Sequence, residues 1–267
     1  MTESGYVPSG EAQIYYETHG SGPAVLFIHA GVADSRMWRD QMGLAGYQSI
    51  VFDQRGYGQT EWVAEPYSNR VDALAVLDHL GIDRAVMVGC SNGGEAAMQL
   101  ALIAPERVSA LVLSGAAPRG WEPEGGWDES TWQEALAALQ AGDFDRAVDI
   151  DAEMWLAGPS RSIHRVDPGL VTLFKEMDAG PTATGAERDQ HVTTLEPPTN
   201  EQLDRIDVPT LVIVGEHDFP DLHEAAAYLA ERLSDRPAVV MEDTAHLPSM
   251  ERPHEFNTVI SGFLAAL

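Results

Sequence analysis

The chain has 267 residues, enough for one large core or for one core carrying an inserted subdomain. Its 42 acidic against 16 basic residues leave a formal charge of −26, a field that repels phosphate backbones and anionic surfaces and argues against nucleic-acid and membrane partners. Cys90 is the single cysteine, which excludes an intrachain disulfide or a multi-cysteine metal site. No leader pattern and no apolar run of about 20 residues is present, so a reducing cytoplasm is the expected compartment.

The opening run Gln13–Tyr16 reads as an antiparallel strand or hairpin. Ala24–Ile28, too apolar for an edge, predicts a buried strand, and Ser49–Phe52 a second. A helix fits Asn69 to Leu80, a strand Ala85–Val88, a helix Asn92 to Ala104 and a strand Ala110–Leu113. Between about Arg119 and Pro198 the strand signal disappears. Thr131-Trp-Gln-Glu134 has capping-box spacing, with Trp132, Leu136 and Leu139 on one face and Gly142 closing the helix. Asp143 to Leu156 and Pro168 to Met177 read as two further helices. Strands resume at Thr210–Val214 and Ala238–Met241, around a helix from Leu222 to Leu233. The last helix begins near Pro253, and Phe256, Val259, Ile260, Phe263, Leu264 and Leu267 repeat along it at three and four. This alternation predicts an α/β fold: a mostly parallel sheet with helices on both faces. The domain reading is a core of residues 1–118 and 199–267, with residues 119–198 a helical cap over the active edge. Of the cap tryptophans, Trp121, Trp127 and Trp132 are expected to pack, and Trp155 to form a pocket wall.

Gly89-Cys-Ser-Asn-Gly93 fits G-x-S-x-G directly after a strand and before a helix, the context that motif needs. The sharp turn strains Ser91 and lifts its Oγ clear of the sheet, at the positive end of the following helix. A serine hydroxyl is a poor nucleophile unless a base takes its proton and a third group orients that base. Gly215-Glu-His-Asp218 places a carboxylate after one later strand, and Glu242-Asp-Thr-Ala-His246 an imidazole after the next. Ser91, Asp218 and His246 thus arise from three loops on one sheet edge, in the order such sites use. Glu216 and Asp221 are rival acids, but the loop phase favours Asp218. His217, His223 and His254 read as exposed or structural, and His191 as a residue near substrate at most. No two histidines have metal-ligand spacing, so no metal is proposed. The oxyanion donors expected are the backbone N–H groups of Asn92 and Gly31. The Asn92 side chain is expected to cap the helix start, and Cys90 to be a small buried residue.

Phe27-Ile-His-Ala-Gly31, Phe52-Asp-Gln-Arg-Gly-Tyr-Gly58, Gly89 to Gly93, Gly215 to Asp218 and Ala245-His246 stand in an order and spacing that resemble the α/β-hydrolase superfamily. The resemblance spans nearly the whole chain outside the cap. Asp34-Ser-Arg-Met-Trp38 and the run from Ala245 to Phe256 are similar to the 3-oxoadipate enol-lactonase and meta-cleavage-product hydrolase branch. Asp53-Gln-Arg-Gly56 looks like the family's structural turn and is given no chemistry. The chain departs from the pattern at Ala30, where the family usually has glycine, and at Asn92, where it often has Met, Leu or Phe. Haloalkane dehalogenases and epoxide hydrolases of this fold use an aspartate nucleophile, which Ser91 argues against. The resemblance implies cofactor-free acyl transfer to water, with a small-molecule ester or lactone as substrate. The chain is expected to be a monomer or homodimer. Hydrolysis of a carbon–carbon bond in a dienoate, and a receptor that has lost turnover, are the alternatives.

Overall fold

In the computed structural model, which describes residues 2–124, 126 and 130–267, eight strands form one sheet. These are β1 (Thr2–Ser9), β2 (Ala12–Gly20), β3 (Ala24–Ile28), β4 (Gln48–Phe52), β5 (Ala85–Cys90), β6 (Val108–Ser114), β7 (Thr210–Gly215) and β8 (Val239–Met241). Their spatial order is β1-β2-β4-β3-β5-β6-β7-β8. β1 and β2 form the expected hairpin, β2 runs antiparallel to β4, and the pairings from β4 through to β8 are parallel.

Alternation along β3 shows why the central strands are apolar throughout. Leu26 and Ile28 join one core and Val25 and Phe27 the other, so both faces are covered. The helices α1 (Asn69–His79), α2 (Asn92–Ile103) and α6 (Pro220–Leu233) pack on the first face. The second holds α8 (Pro253–Leu264), whose Phe256 meets Trp38 at 6.0 Å, and Trp38 in turn meets Phe27 at 5.3 Å.

Because β3, β5, β7 and β8 run parallel, the segments following them emerge at one edge. β3 lies between β4 and β5, so the chain reverses its direction of travel across the sheet there. The crevice outside the ends of β3 and β5 is where ligands bind in open sheets of this type.

Among the described residues no strand of the sheet lies between Ser114 and Thr210. Helix α3 (Ser130–Gln140) closes as expected: Gly142 has φ +73°, its N–H bonds to Leu139 O at 3.0 Å, and Asp143 N–H bonds to Ala138 O at 2.9 Å. Trp127 and the Thr131 side chain, with its expected capping role, lie outside the described residues. Helix α4 (Phe144–Asp151) runs on into a π-helical turn, Ala152–Ala157. Helix α5 (Pro168–Arg188) passes Met177, where the sequence reading ended it, and contains Pro181. Tertiary contacts outweigh the proline. Met177 and Asp178 are buried before it, and after it the Arg188 guanidinium sits 4.5 Å from the Tyr57 ring centroid. A short helix, α7 (Pro248–Glu251), precedes α8 and had no sequence signal. Among the described residues no helix is long and apolar enough to cross a membrane.

Candidate active site

Ser91 joins β5 to α2 at φ 54°, ψ −119°, a region residues with side chains rarely occupy. Its N–H donates to Ser114 O at 2.9 Å, and its carbonyl accepts from Gly94 and Glu95 N–H at 2.9 and 3.1 Å. The glycines are demanded by space. A methyl group on Gly89 would overlap the Gly93 carbonyl, one on Gly93 would overlap the Ile28 carbonyl, and one on Gly94 would come within 2.5 Å of the Ala116 methyl. β3, β5 and α2 therefore cross backbone to backbone, and that packing maintains a strain of order 1–3 kcal/mol at the serine.

Asp218 follows β7, and His246 follows β8. Nδ1 of His246 lies 3.0 Å from Asp218 Oδ2 and 3.2 Å from Oδ1, with both side chains almost wholly buried. Phe219 N–H donates to Oδ1 at 2.9 Å. A carboxylate at Nδ1 assigns the proton there and leaves the Nε2 lone pair to accept another. Gly115, at φ +55°, makes room for the pair, since a Cβ there would stand 3.0 Å from Nδ1 and Cε1.

The backbone of His246 is held from two sides. Its N–H donates to Trp155 O at 3.1 Å, and its carbonyl lies 3.6 Å from the Cys90 thiol. Cys90 immediately precedes Ser91, so this contact ties the imidazole loop to the serine turn. Cys90 is buried, as the sequence suggested, and burial pushes its thiol well above the usual range, so it stays a protonated donor.

The π turn has a visible role here. It ends with three consecutive carbonyls free of helical partners: Trp155 O takes His246 N–H, while Leu156 O and Ala157 O take Arg161 at 2.8 and 3.2 Å. Arg161 also pairs with buried Glu251, whose other oxygen accepts Ala245 N–H at 2.8 Å. The sequence reading passed over Arg161 and Glu251, because neither belongs to a motif and their pairing is a tertiary event.

Gly31 lies beside the start of α2: a Cβ on it would be 3.7 Å from Asn92 Cβ and 3.7 Å from Tyr57 Oη, and Tyr57 donates to Gly31 O at 2.9 Å. Asn92 occupies the first turn of α2, where backbone N–H groups have no helical acceptor. Its side chain does not cap the helix as expected; Nδ2 lies 3.4 Å from Gln54 Oε1. Gln54 also donates to His29 O at 2.7 Å, and its own N–H to His29 Nε2 at 2.9 Å. That leaves His29 to donate from Nδ1 to Ala30 O, and burial lowers its pKa, keeping it neutral. The Asp53 turn is structural, accepting Ser35 and Gln59 N–H at 2.8 and 2.7 Å.

Trp155 stacks on the imidazole, centroids 4.6 Å apart, and lines a cavity of about 670 Å³. Trp132 and Asp221 line it too, so Trp132 does more than pack. Trp121 packs on Tyr228. Glu216 is turned away, accepting Asp243 N–H, and His217 Nδ1 lies 3.0 Å from Ser160 Oγ. His191 packs on Trp62, and His254 is exposed at the start of α8.

The profile of the alpha/beta hydrolase fold matches residues 23–253. A candidate carbamate hydrolase from Azorhizobium caulinodans is 29% identical over 97% of each chain. The 3-oxoadipate enol-lactonase 2 of Acinetobacter baylyi is 25% identical over 95% of this chain and 94% of its own. The solved structure of Est816, described as an N-acyl homoserine lactone degrading enzyme, is 30% identical with a TM-score of 0.80, over 97% of this chain and 100% of that one. The match thus runs from the β3 end through the serine turn to the imidazole loop and beyond, and the chain belongs to the alpha/beta hydrolase fold family, as a hydrolase.

Proposed function

We propose that the chain hydrolyses a carboxylic ester or lactone through Ser91, His246 and Asp218 and a covalent acyl-enzyme. His246 Nε2 takes the Ser91 proton as Oγ attacks the carbonyl carbon. Asp218 holds the ring and stabilises the imidazolium. The N–H groups of Gly31 and Asn92 receive the oxyanion, and His246 then protonates the leaving oxygen. Water, deprotonated by the same imidazole, attacks the acyl-enzyme and releases the acid and Ser91. Residues 119–198 act as the cap, with Trp155 as the wall nearest the reaction. One observation carries this reading: a buried carboxylate–imidazole pair fastened, through the Cys90 contact, to a serine held at positive φ. The lactonases among the similar proteins support the same substrate class.

The test is turnover of p-nitrophenyl butyrate together with labelling by a fluorophosphonate probe. Ser91→Ala should lower kcat by about 10⁴-fold or more and abolish labelling. A variant that keeps wild-type turnover would refute the proposal.

A further inference from the structure

The cavity lined by Trp155, the ring that packs on His246, is aromatic and acidic. Its walls carry the rings of Trp132, Trp155 and Phe219, two carboxylates, Asp151 and Asp221, and aliphatic side chains such as Leu136. No basic side chain is among its described lining residues. Trp155 is the hub of the rings, 5.5 Å from Trp132, 5.5 Å from Phe219 and 4.6 Å from the imidazole. Trp132 and Leu136 are half exposed, as suits a mouth open to solvent.

We propose that this cavity receives the cationic, ammonium-type group of a substrate, held by the aromatic faces and by Asp151. An ammonium within about 6 Å of an indole face is attracted by the ring quadrupole, and a nearby carboxylate adds to that pull. A carboxylate-bearing substrate meets the opposite field. It would face Asp151 with no cation among the described lining to receive it, inside a chain of net charge −26.

Asp151 does not stand alone at the wall. Behind it, on α5, lies Asp178, 1% exposed and within hydrogen-bonding reach. Burial first, then the Asp151 charge, pushes Asp178 up to about 8, so at neutral pH the two carboxyls hold one proton between them. Asp178 Oδ2, buried with no donor of its own, is an atom on which that proton can reside. Asp151 is itself pushed up by burial, to about 6, so the pair keeps one negative charge at neutral pH. A partly desolvated carboxylate at the wall of an aromatic cavity is costly on its own, and a bound cation offsets that cost.

The proposal rests on the hydrolase reading for what the cation belongs to, so its test is binding rather than turnover. Ser91→Ala protein is titrated with phenyltrimethylammonium, and tryptophan fluorescence is followed against parallel titrations with benzoate. Saturable quenching by the cation and none by the anion is the expected result. Asp151→Asn and, in case that variant does not fold, Trp132→Leu should each weaken the cation by about tenfold. Equal or tighter binding of benzoate, or no saturable binding of the cation, overturns the proposal. Wild-type protein that binds the cation yet cleaves no ester removes the hydrolase reading and leaves the cation site standing.

Discussion

The turn that carries Ser91 and the helical segment after β6 are built on different physics. Around Ser91 backbones touch, so that Gly89 and Gly93 leave no room for a methyl group. In the helical segment side chains fill the space between elements, and where they do not, a cavity of about 670 Å³ opens. Gly142 there has nothing within 4 Å of where its Cβ would stand. The first region prescribes its residues one by one; the second does so where it meets the sheet edge, as at Gly158, whose Cβ would overlap the His217 carbonyl, and elsewhere asks for volume and polarity. On the proposed function, chemistry sits where the chain has least freedom, and substrate choice where it has most.

The largest expected effect lies in the constrained region. Asp218→Asn keeps the shape of the buried pair but lets the imidazole settle in the wrong tautomer, and kcat for p-nitrophenyl butyrate should fall by about 10⁴-fold. Thermal unfolding of the same protein should show that the fold survives. A loss of less than tenfold would mean that His246 is oriented by something other than Asp218. Next comes Gly93→Ala, which drives a methyl group into the Ile28 carbonyl. Neither backbone can retreat without breaking a central strand, so a cost above about 3 kcal/mol is expected, read as a lost or sharply lowered Tm.

This contrast explains what the sequence disclosed. The strands were legible from their apolar runs, the serine turn because tight backbone geometry demands glycine at fixed offsets, and Asp218 and His246 from their places just after β7 and β8. Other groups left no such trace. Gln54 sits in a turn read as structural and Tyr57 just after it, yet they contact Asn92 and Gly31. Arg161 reaches the imidazole loop through Glu251, 90 residues away. α5 runs past the point where Gly180 and Pro181 signal a stop, because burial on either side outweighs local preference. The Asp151–Asp178 pair exists only once α4 and α5 are side by side.

That pair gives a third, smaller effect, confined to the helical segment. Asp178 is pushed up to about 8 in the fold, against an unfolded value of 3.8. The protonated form is the one the fold favours, so the stability linked to it is full below pH 4 and is lost as pH rises towards 8. Asp178→Asn cannot ionise and can still donate to Asp151. Its Tm should match the wild type near pH 4 and exceed it increasingly towards pH 8, by an amount equivalent to about 1–2 kcal/mol. A Tm difference that stays constant with pH would show that the two carboxyls do not share a proton.

The smallest effect tests the comparison most directly, because it repeats the glycine substitution in the permissive region. Gly142 closes α3 at φ +73°, and an alanine there meets no neighbouring atom. The cost is then conformational only, about 1 kcal/mol for holding a side-chain-bearing residue in the left-handed region. For a chain of this length that is a Tm lowered by about 2–4 °C, measurable by calorimetry beside Gly93→Ala in one buffer. Turnover of p-nitrophenyl butyrate should stay near wild type, since Gly142 is not a lining residue of the cavity and a Cβ on it meets no residue of the three loops. If Gly142→Ala instead matched Gly93→Ala in severity, the helical segment would have to be packed as tightly as the sheet edge. The division between a region that fixes chemistry and a region free to vary in substrate would then fail.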